Sequence, residues 1–170
     1  MTNKSIYFAG GCFWGTEHFM KQINGVNETE VGYANGDSSM IDPTYKEVKT
    51  GNTGFAETVR VEYDADTVSL ERLMELFFIT IDPVSINQQG EDIGTQYRTG
   101  IYYTNDADRA AIEAFIAAKQ ATIEQKIAIE IDPLESFYSA EEYHQAYLDK
   151  NPEGYCHIST ELFAFAKNQG

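Results

Sequence analysis

Apolar and polar positions alternate through residues 57–63 of the chain, so that Glu57, Val59, Val61 and Tyr63 share one face of an extended strand and Thr58, Arg60 and Glu62 the other. The apolar face therefore carries a carboxyl group. Leu70, Leu73, Met74 and Phe77 recur at i, i+3, i+4 and i+7, which predicts an amphipathic helix. Residues 5–9 read as a strand, 12–23 as a helix halted by Asn24-Gly25, and 26–34 as a second strand. Beyond the alternating strand at 56–63, the pattern predicts a strand at 100–104, an Ala-rich helix over 106–126 and a last core strand at 127–131. A short helix around 139–149 then precedes a tail. The order strand-helix-strand-strand-helix-strand predicts an α+β fold: a ferredoxin-like α/β sandwich core with an added helix, long loops and an irregular C-terminal tail.

Two stretches, 35–54 and 81–99, break this periodicity with Gly, Asn, Asp, Thr and Pro, and read as functional loops. There is no internal repeat and no Pro- or Ser-rich linker, so all 170 residues are expected to form a single catalytic domain, with 150–170 as its tail. A composition of 42% hydrophobic and 23% charged residues is that of an ordinary globular chain. With 27 acidic against 12 basic residues the net charge is -15, which repels phosphate backbones and anionic lipid and argues against nucleic-acid and membrane partners. No run of 18 apolar residues occurs and the first ten residues lack a long apolar stretch, so a cytoplasmic location is expected. Two cysteines are too few for a disulfide scaffold, which leaves each thiol as packing or as chemistry.

Cys12 stands where the first strand gives way to a helix, and Gly10 and Gly11 permit the tight entry. Unpaired N–H groups and the positive end of the helix dipole favour a thiolate there, although the same position suits a small buried hydrophobe. Phe13 and Trp14 beside it are core residues or the walls of a pocket for a small apolar group such as a thioether methyl. Glu57, if desolvated, keeps its proton near neutrality and can donate it to a reacting oxygen; if the strand end emerges into solvent, it is an ordinary carboxylate. Tyr45 and Tyr97 lie in the two polar loops, where a phenol donates hydrogen bonds or caps a core edge, and Asp92 orients a polar group or forms a turn. Cys156, in a segment broken by Pro152 and Gly154, is a resolving thiol if geometry brings it to Cys12, and otherwise an unrelated surface thiol. The Cys and His spacings do not complete a zinc set, and the glycine clusters lack a phosphate-loop or dinucleotide fingerprint, so no metal and no bound cofactor are expected.

GCFWGTE at 11–17 closely resembles the active-site motif of A-type peptide methionine sulfoxide reductases. GYANG at 32–36, PTYKEV at 43–48, TGFAETVRVEYD at 53–64, QGEDIGTQYRTGIYY at 89–103, AEEYHQAYL at 140–148 and NPEGYC at 151–156 resemble segments of the same family in the same order. The resemblance implies thiol-dependent reduction of the S epimer of methionine sulfoxide, free or in proteins. In it Cys12 is the nucleophile, Phe13 and Trp14 hold the substrate methyl, and Glu57 protonates the sulfoxide oxygen. Tyr45 and Tyr97 are then hydrogen-bonding tyrosines, Asp92 supports the site and Cys156 is the resolving cysteine. It further implies a Cys12 sulfenic acid, a Cys12-Cys156 disulfide and thioredoxin, or dithiothreitol in vitro, as reductant to a monomeric enzyme that repairs oxidative damage. Phe55 and Ile81 depart from the family pattern, where histidines are frequent. Two other readings compete: a thiol hydrolase pairing Cys12 with His144 or His157, and an acidic domain that grips a peptide with Phe13 and Trp14.

Overall fold

The structure is a computed structural model and describes residues 2–154, 156 and 158–169. Six strands form one sheet in the order β7-β6-β1-β3-β2-β8, from β1 (Asn3–Gly10), β2 (Val26–Ala34), β3 (Ala56–Asp64), β6 (Thr99–Tyr103), β7 (Glu130–Pro133) and β8 (Phe137–Ser139). Strands β4 (Gln88–Gln89) and β5 (Asp92–Ile93) make a separate small hairpin. The four middle strands, β6-β1-β3-β2, have the ferredoxin-like order that the element pattern predicts, with α1 (Phe13–Lys21) and α3 (Leu70–Ile79) as crossovers. α4 (Asp106–Gln120) then leads from β6 to β7, the one parallel pair in the sheet.

The alternation in β3 sets the layer. Val59 pairs with Phe8 of β1 and Val31 of β2, and the same side chains pack with Phe13, Phe19 and Met20 of α1 and Leu73, Met74 and Phe77 of α3. Each fully buried aliphatic or aromatic side chain of this kind stabilises the fold by about 1.5–3 kcal/mol relative to exposure. Part of the opposite face is covered too: Ala9, Ala34, Ala56 and Tyr102 form a second cluster under Leu134 and Phe137. Thr58, on the polar side by pattern, is therefore completely buried.

Several elements differ from the sequence expectation, each for a local reason. α4 stops at Gln120, whose side chain takes the carbonyls of Ile123 and Gln125 and the N–H of Ile127 and so closes the helix end. The predicted strand at 127–131 begins only at Glu130, because Ala128 donates to Pro83 O at 2.7 Å in the loop below rather than to a strand neighbour. The expected helix over 139–149 is instead the end of β8, a 3-10 turn at Glu142–His144 and α5 (Tyr147–Lys150), interrupted by Ala146 in a left-handed conformation (φ 52). The tail is not wholly irregular: α6 (Thr160–Ala166) packs on α1, and Ile158 and Ala166 enter the core.

Candidate active site

The site begins where β1 hands over to α1. Gly11 has φ +85, which favours glycine, and this turns the chain so that Cys12, itself extended, becomes the N-cap of α1. The Cys12 side chain does not cap the helix; instead the first helical N–H, from Phe13, donates to Glu57 Oε1 of β3 at 3.2 Å. A carboxyl group from the sheet thus takes the place of a cap residue, and the strand register fixes where it stands, since Glu57 lies opposite Tyr33 of β2. Glu57 is 1% exposed, and its Oε2 has no hydrogen-bond partner among the described residues. Burial pushes its pKa up to about 8, against the opposing Phe13 N–H and with the help of the Asp92 charge. Near neutrality Glu57 is mostly a neutral acid with one oxygen unengaged.

The helix terminus does not make Cys12 a resting thiolate, contrary to the sequence argument. Burial and then the neighbouring Glu57 charge push the thiol well above its ordinary value, and the Trp14 N–H opposes them without winning. A proton on Glu57 removes the second of these two effects on the thiol, while burial, the larger, remains.

Two tyrosines complete the rim. Tyr45 opens the short helix α2 (Tyr45–Val48), whose start is fixed by a Thr44–Glu47 capping box and by donation from Tyr45 N to Glu141 Oε2 at 3.0 Å. Tyr97 ends a 3-10 turn in the second loop. That loop is tied to the first by Thr95 Oγ1 on Gly51 O at 2.7 Å and by Gln96 Nε2 on Lys49 O at 3.2 Å. Burial and then the charge of Glu57 raise both phenols well above their ordinary value, so both remain donors. Asp92 stands in β5, and its charge raises the pKa of Cys12, Glu57, Tyr45, Tyr97 and Cys156 alike. The structure thus brings together Cys12, Glu57, Tyr45, Tyr97 and Asp92 from five separate segments.

Phe13 lies in the main core with its ring 5.3 Å from His144, whereas Trp14 is only partly buried. The indole stacks on Tyr147 with centroids 3.7 Å apart and donates from Nε1 to His144 Nδ1 at 2.9 Å. His144 is 1% exposed, and burial lowers its pKa, with Glu141 opposing. Because Nδ1 accepts from Trp14, the single proton of the neutral ring sits on Nε2. Neither nitrogen is then available to accept the Cys12 proton, which removes His144 from the thiol-hydrolase reading; His157, the other candidate, lies outside the described residues. Sequence reasoning missed His144 and Tyr147 as walls of the aromatic site. Periodicity offers no signal for them, since Ala146 breaks the helix between the two.

Cys156 lies against the same helix turn, and its charge is among those that raise the Cys12 pKa. A Cβ on Gly15 would lie 2.6 Å from Cys156 Sγ, so the sulfur occupies the space that glycine leaves open. Gly15 is three residues after Cys12, about 4.5 Å of helical rise. Both thiols are free, and Ile158 N donates to Cys156 Sγ at 3.3 Å. A cavity of about 380 Å³ lined by His18, Asp149 and Phe163 opens beside Cys156. Of the two departures from the family pattern, Phe55 is buried against Tyr138, and Ile81 packs beside Gly10 near β1. Among the described residues no three His, Cys, Asp or Glu converge as metal ligands, and no helix is long and apolar enough to cross a membrane.

The chain is similar to known proteins over nearly its whole length. A family model described as peptide methionine sulfoxide reductase matches residues 4–169. The peptide methionine sulfoxide reductase MsrA of Lachnoclostridium phytofermentans is 53% identical over 166 residues, covering 98% of this chain and 99% of that protein. Among solved structures, Mxr1 from Saccharomyces cerevisiae in reduced form superposes with a TM-score of 0.88 at 42% identity, covering 92% of this chain and 91% of that one. The same yeast protein in complex with Trx2 matches at 28% identity and a TM-score of 0.60, covering 85% and 84% of the two chains. A buried thiol, a neutral acid and an aromatic wall thus meet on a chain that belongs to the peptide methionine sulfoxide reductase family, MsrA type, and is an oxidoreductase of methionine sulfoxide.

Proposed function

We propose that the chain reduces the S epimer of methionine sulfoxide, free or within proteins, with Cys12 as nucleophile and Glu57 as proton donor. The observation that carries this reading is the meeting of the two groups at the first turn of α1, where Glu57 caps the helix through one oxygen and offers the other. A sulfoxide oxygen leaves poorly until it is protonated, so the acid must hold its proton while the sulfur attacks. Transfer of the Glu57 proton to the substrate oxygen, assisted by the Tyr45 and Tyr97 hydroxyls, makes the sulfoxide sulfur electrophilic. The Cys12 sulfur attacks the substrate sulfur as its thiol proton passes to the Glu57 carboxylate; the substrate S–O bond breaks, the hydroxyl passes to Cys12, and the Cys12 sulfur gives up the two electrons that the substrate sulfur gains. The products are methionine and a Cys12 sulfenic acid. Phe13 and Trp14 form the apolar seat for the substrate methyl, and Asp92 holds the polar side of the site.

Cys156 then attacks the sulfenic sulfur, forming a Cys12-Cys156 disulfide and releasing water; the nearness of its sulfur to Gly15 supports this reading. The reductant is a dithiol protein of the thioredoxin type, the class to which the Trx2 of the yeast complex belongs. Each cycle consumes its two thiols. The working unit is the monomer, a single catalytic domain whose 150–170 segment carries the resolving thiol, and free thiols suit the reducing cytoplasm. The test is consumption of resolved S and R methionine sulfoxide with dithiothreitol. Loss of the S epimer alone is expected, and equal loss of both, or of neither, would refute the assignment. Cys156→Ser should still form one equivalent of methionine per enzyme but lose thioredoxin-supported turnover at least about tenfold. Undiminished cycling with thioredoxin would remove Cys156 from the resolving step.

A further inference from the structure

Glu17 lies on α1 one turn beyond the aromatic pair, is 2% exposed, and takes no part in the reaction derived above. Both of its oxygens are engaged: Oε1 accepts from the backbone N–H of Ala146 at 2.8 Å and Oε2 from Thr29 Oγ1 at 3.0 Å. Burial raises the pKa of this carboxyl, while the Ala146 N–H, the Thr29 hydroxyl and Lys21 pull the other way. Ala146 is the only residue of its loop with positive φ, at φ 52 and ψ 37, a conformation that L-residues hold only when their surroundings fix it.

The neighbours of Ala146 explain why it is held. His144 accepts the Trp14 indole N–H, and Tyr147 stacks on the same indole with the planes 10° apart. Gln145 between them is bound to Val31, giving its Nε2 to Val31 O and taking Val31 N, both at 2.9 Å. In the four residues 144–147, the middle two are thus anchored to β2 and α1 while the outer two grip the ring. We infer that Glu17 is a positioning residue that, through the Ala146 N–H, sets the His144–Tyr147 grip on Trp14 and thereby the affinity for the substrate methyl. The substrate part of this inference rests on the function proposed above; the indole part does not.

Trp14 is the only tryptophan of the chain, so its fluorescence reports the grip directly. The test compares emission of the reduced full-length protein with kcat and KM for S methionine sulfoxide in wild type, Glu17→Gln, Glu17→Met and Glu17→Asp. Gln keeps an acceptor for the Ala146 N–H, and its amide can donate to Thr29 Oγ1, so it should match wild type in both readouts. Met fills the volume without an acceptor and should shift the emission to the red and raise KM about tenfold, with kcat within about twofold. Should Met prevent folding, Asp retains the carboxyl group but falls one methylene short, and the same shift with a KM rise of about threefold is expected. Unchanged emission in the folded Met or Asp variant overturns the role of Glu17 whatever the enzyme does. Shifted emission with an unchanged KM overturns its effect on substrate and points instead at the assignment of Trp14 to the pocket.

Discussion

Cys12→Ser should lower sulfoxide reduction to the buffer background, a loss of roughly 10⁴-fold or more, with the fold retained. The size of this effect follows from electron bookkeeping rather than from nucleophilicity alone. The reaction leaves two electrons on the substrate sulfur, and the attacking atom must supply them and end as a stable oxidised species. Sulfur does so as a sulfenic acid, whereas the oxygen of serine would have to become a peroxide. The side chains are close in size and Cys12 makes no capping hydrogen bond, so the substitution leaves α1 in place. Addition of S methionine sulfoxide should still perturb Trp14 fluorescence in this variant, which separates binding from chemistry. Single-turnover methionine formation by Cys12→Ser above background would exclude Cys12 as the oxidised atom.

Glu57→Gln should slow the chemical step by about 10²–10⁴-fold, the usual worth of a positioned general acid. Glutamine keeps an oxygen for the Phe13 N–H, so the helix cap survives and the loss reports the missing proton. The pH dependence carries the same signature. In wild type the donor is lost as pH rises through about 8, so the rate should show a descending limb there that is absent from Glu57→Gln. Stability has a matching sign: the folded-state pKa lies above the unfolded value of 4.5, so this contribution is complete below pH 4.5 and is lost as pH rises through about 8. Denaturant unfolding should therefore show a decline in stability between those limits that Glu57→Gln removes. A descending limb that persists in Glu57→Gln would assign the titration to another group.

The central strands were legible because their patterns are imposed by burial that the whole fold shares. Val26–Ala34 agrees residue for residue, and the carboxyl on the apolar side of residues 57–63 was visible in the alternation before any contact was known. The region after Gln120 was not, because side chains there replace backbone partners: Gln120 closes a helix and Gln145 satisfies a strand edge. Periodicity is blind to such substitutions. The protonation of Cys12 was misread for a related reason, since a helix terminus is a local feature whereas the burial and the Glu57 charge that outweigh it come from distant segments. The aromatic grip of His144 and Tyr147 likewise spans 130 residues between Trp14 and His144.

Gly15 sets the stability of this helix against its redox chemistry. Alanine is favoured over glycine in a helix by about 0.8–1.0 kcal/mol on propensity alone, but Gly15 is buried and the gain is set against its neighbours. The added methyl would occupy the place of the Cys156 sulfur, 2.6 Å away. Under the function proposed above, a Gly15→Ala variant that displaces Cys156 would leave the Cys12 sulfenic acid without its partner and open to further, irreversible oxidation. On that reading, the missing side chain at Gly15 is what gives the second thiol its place beside the helix.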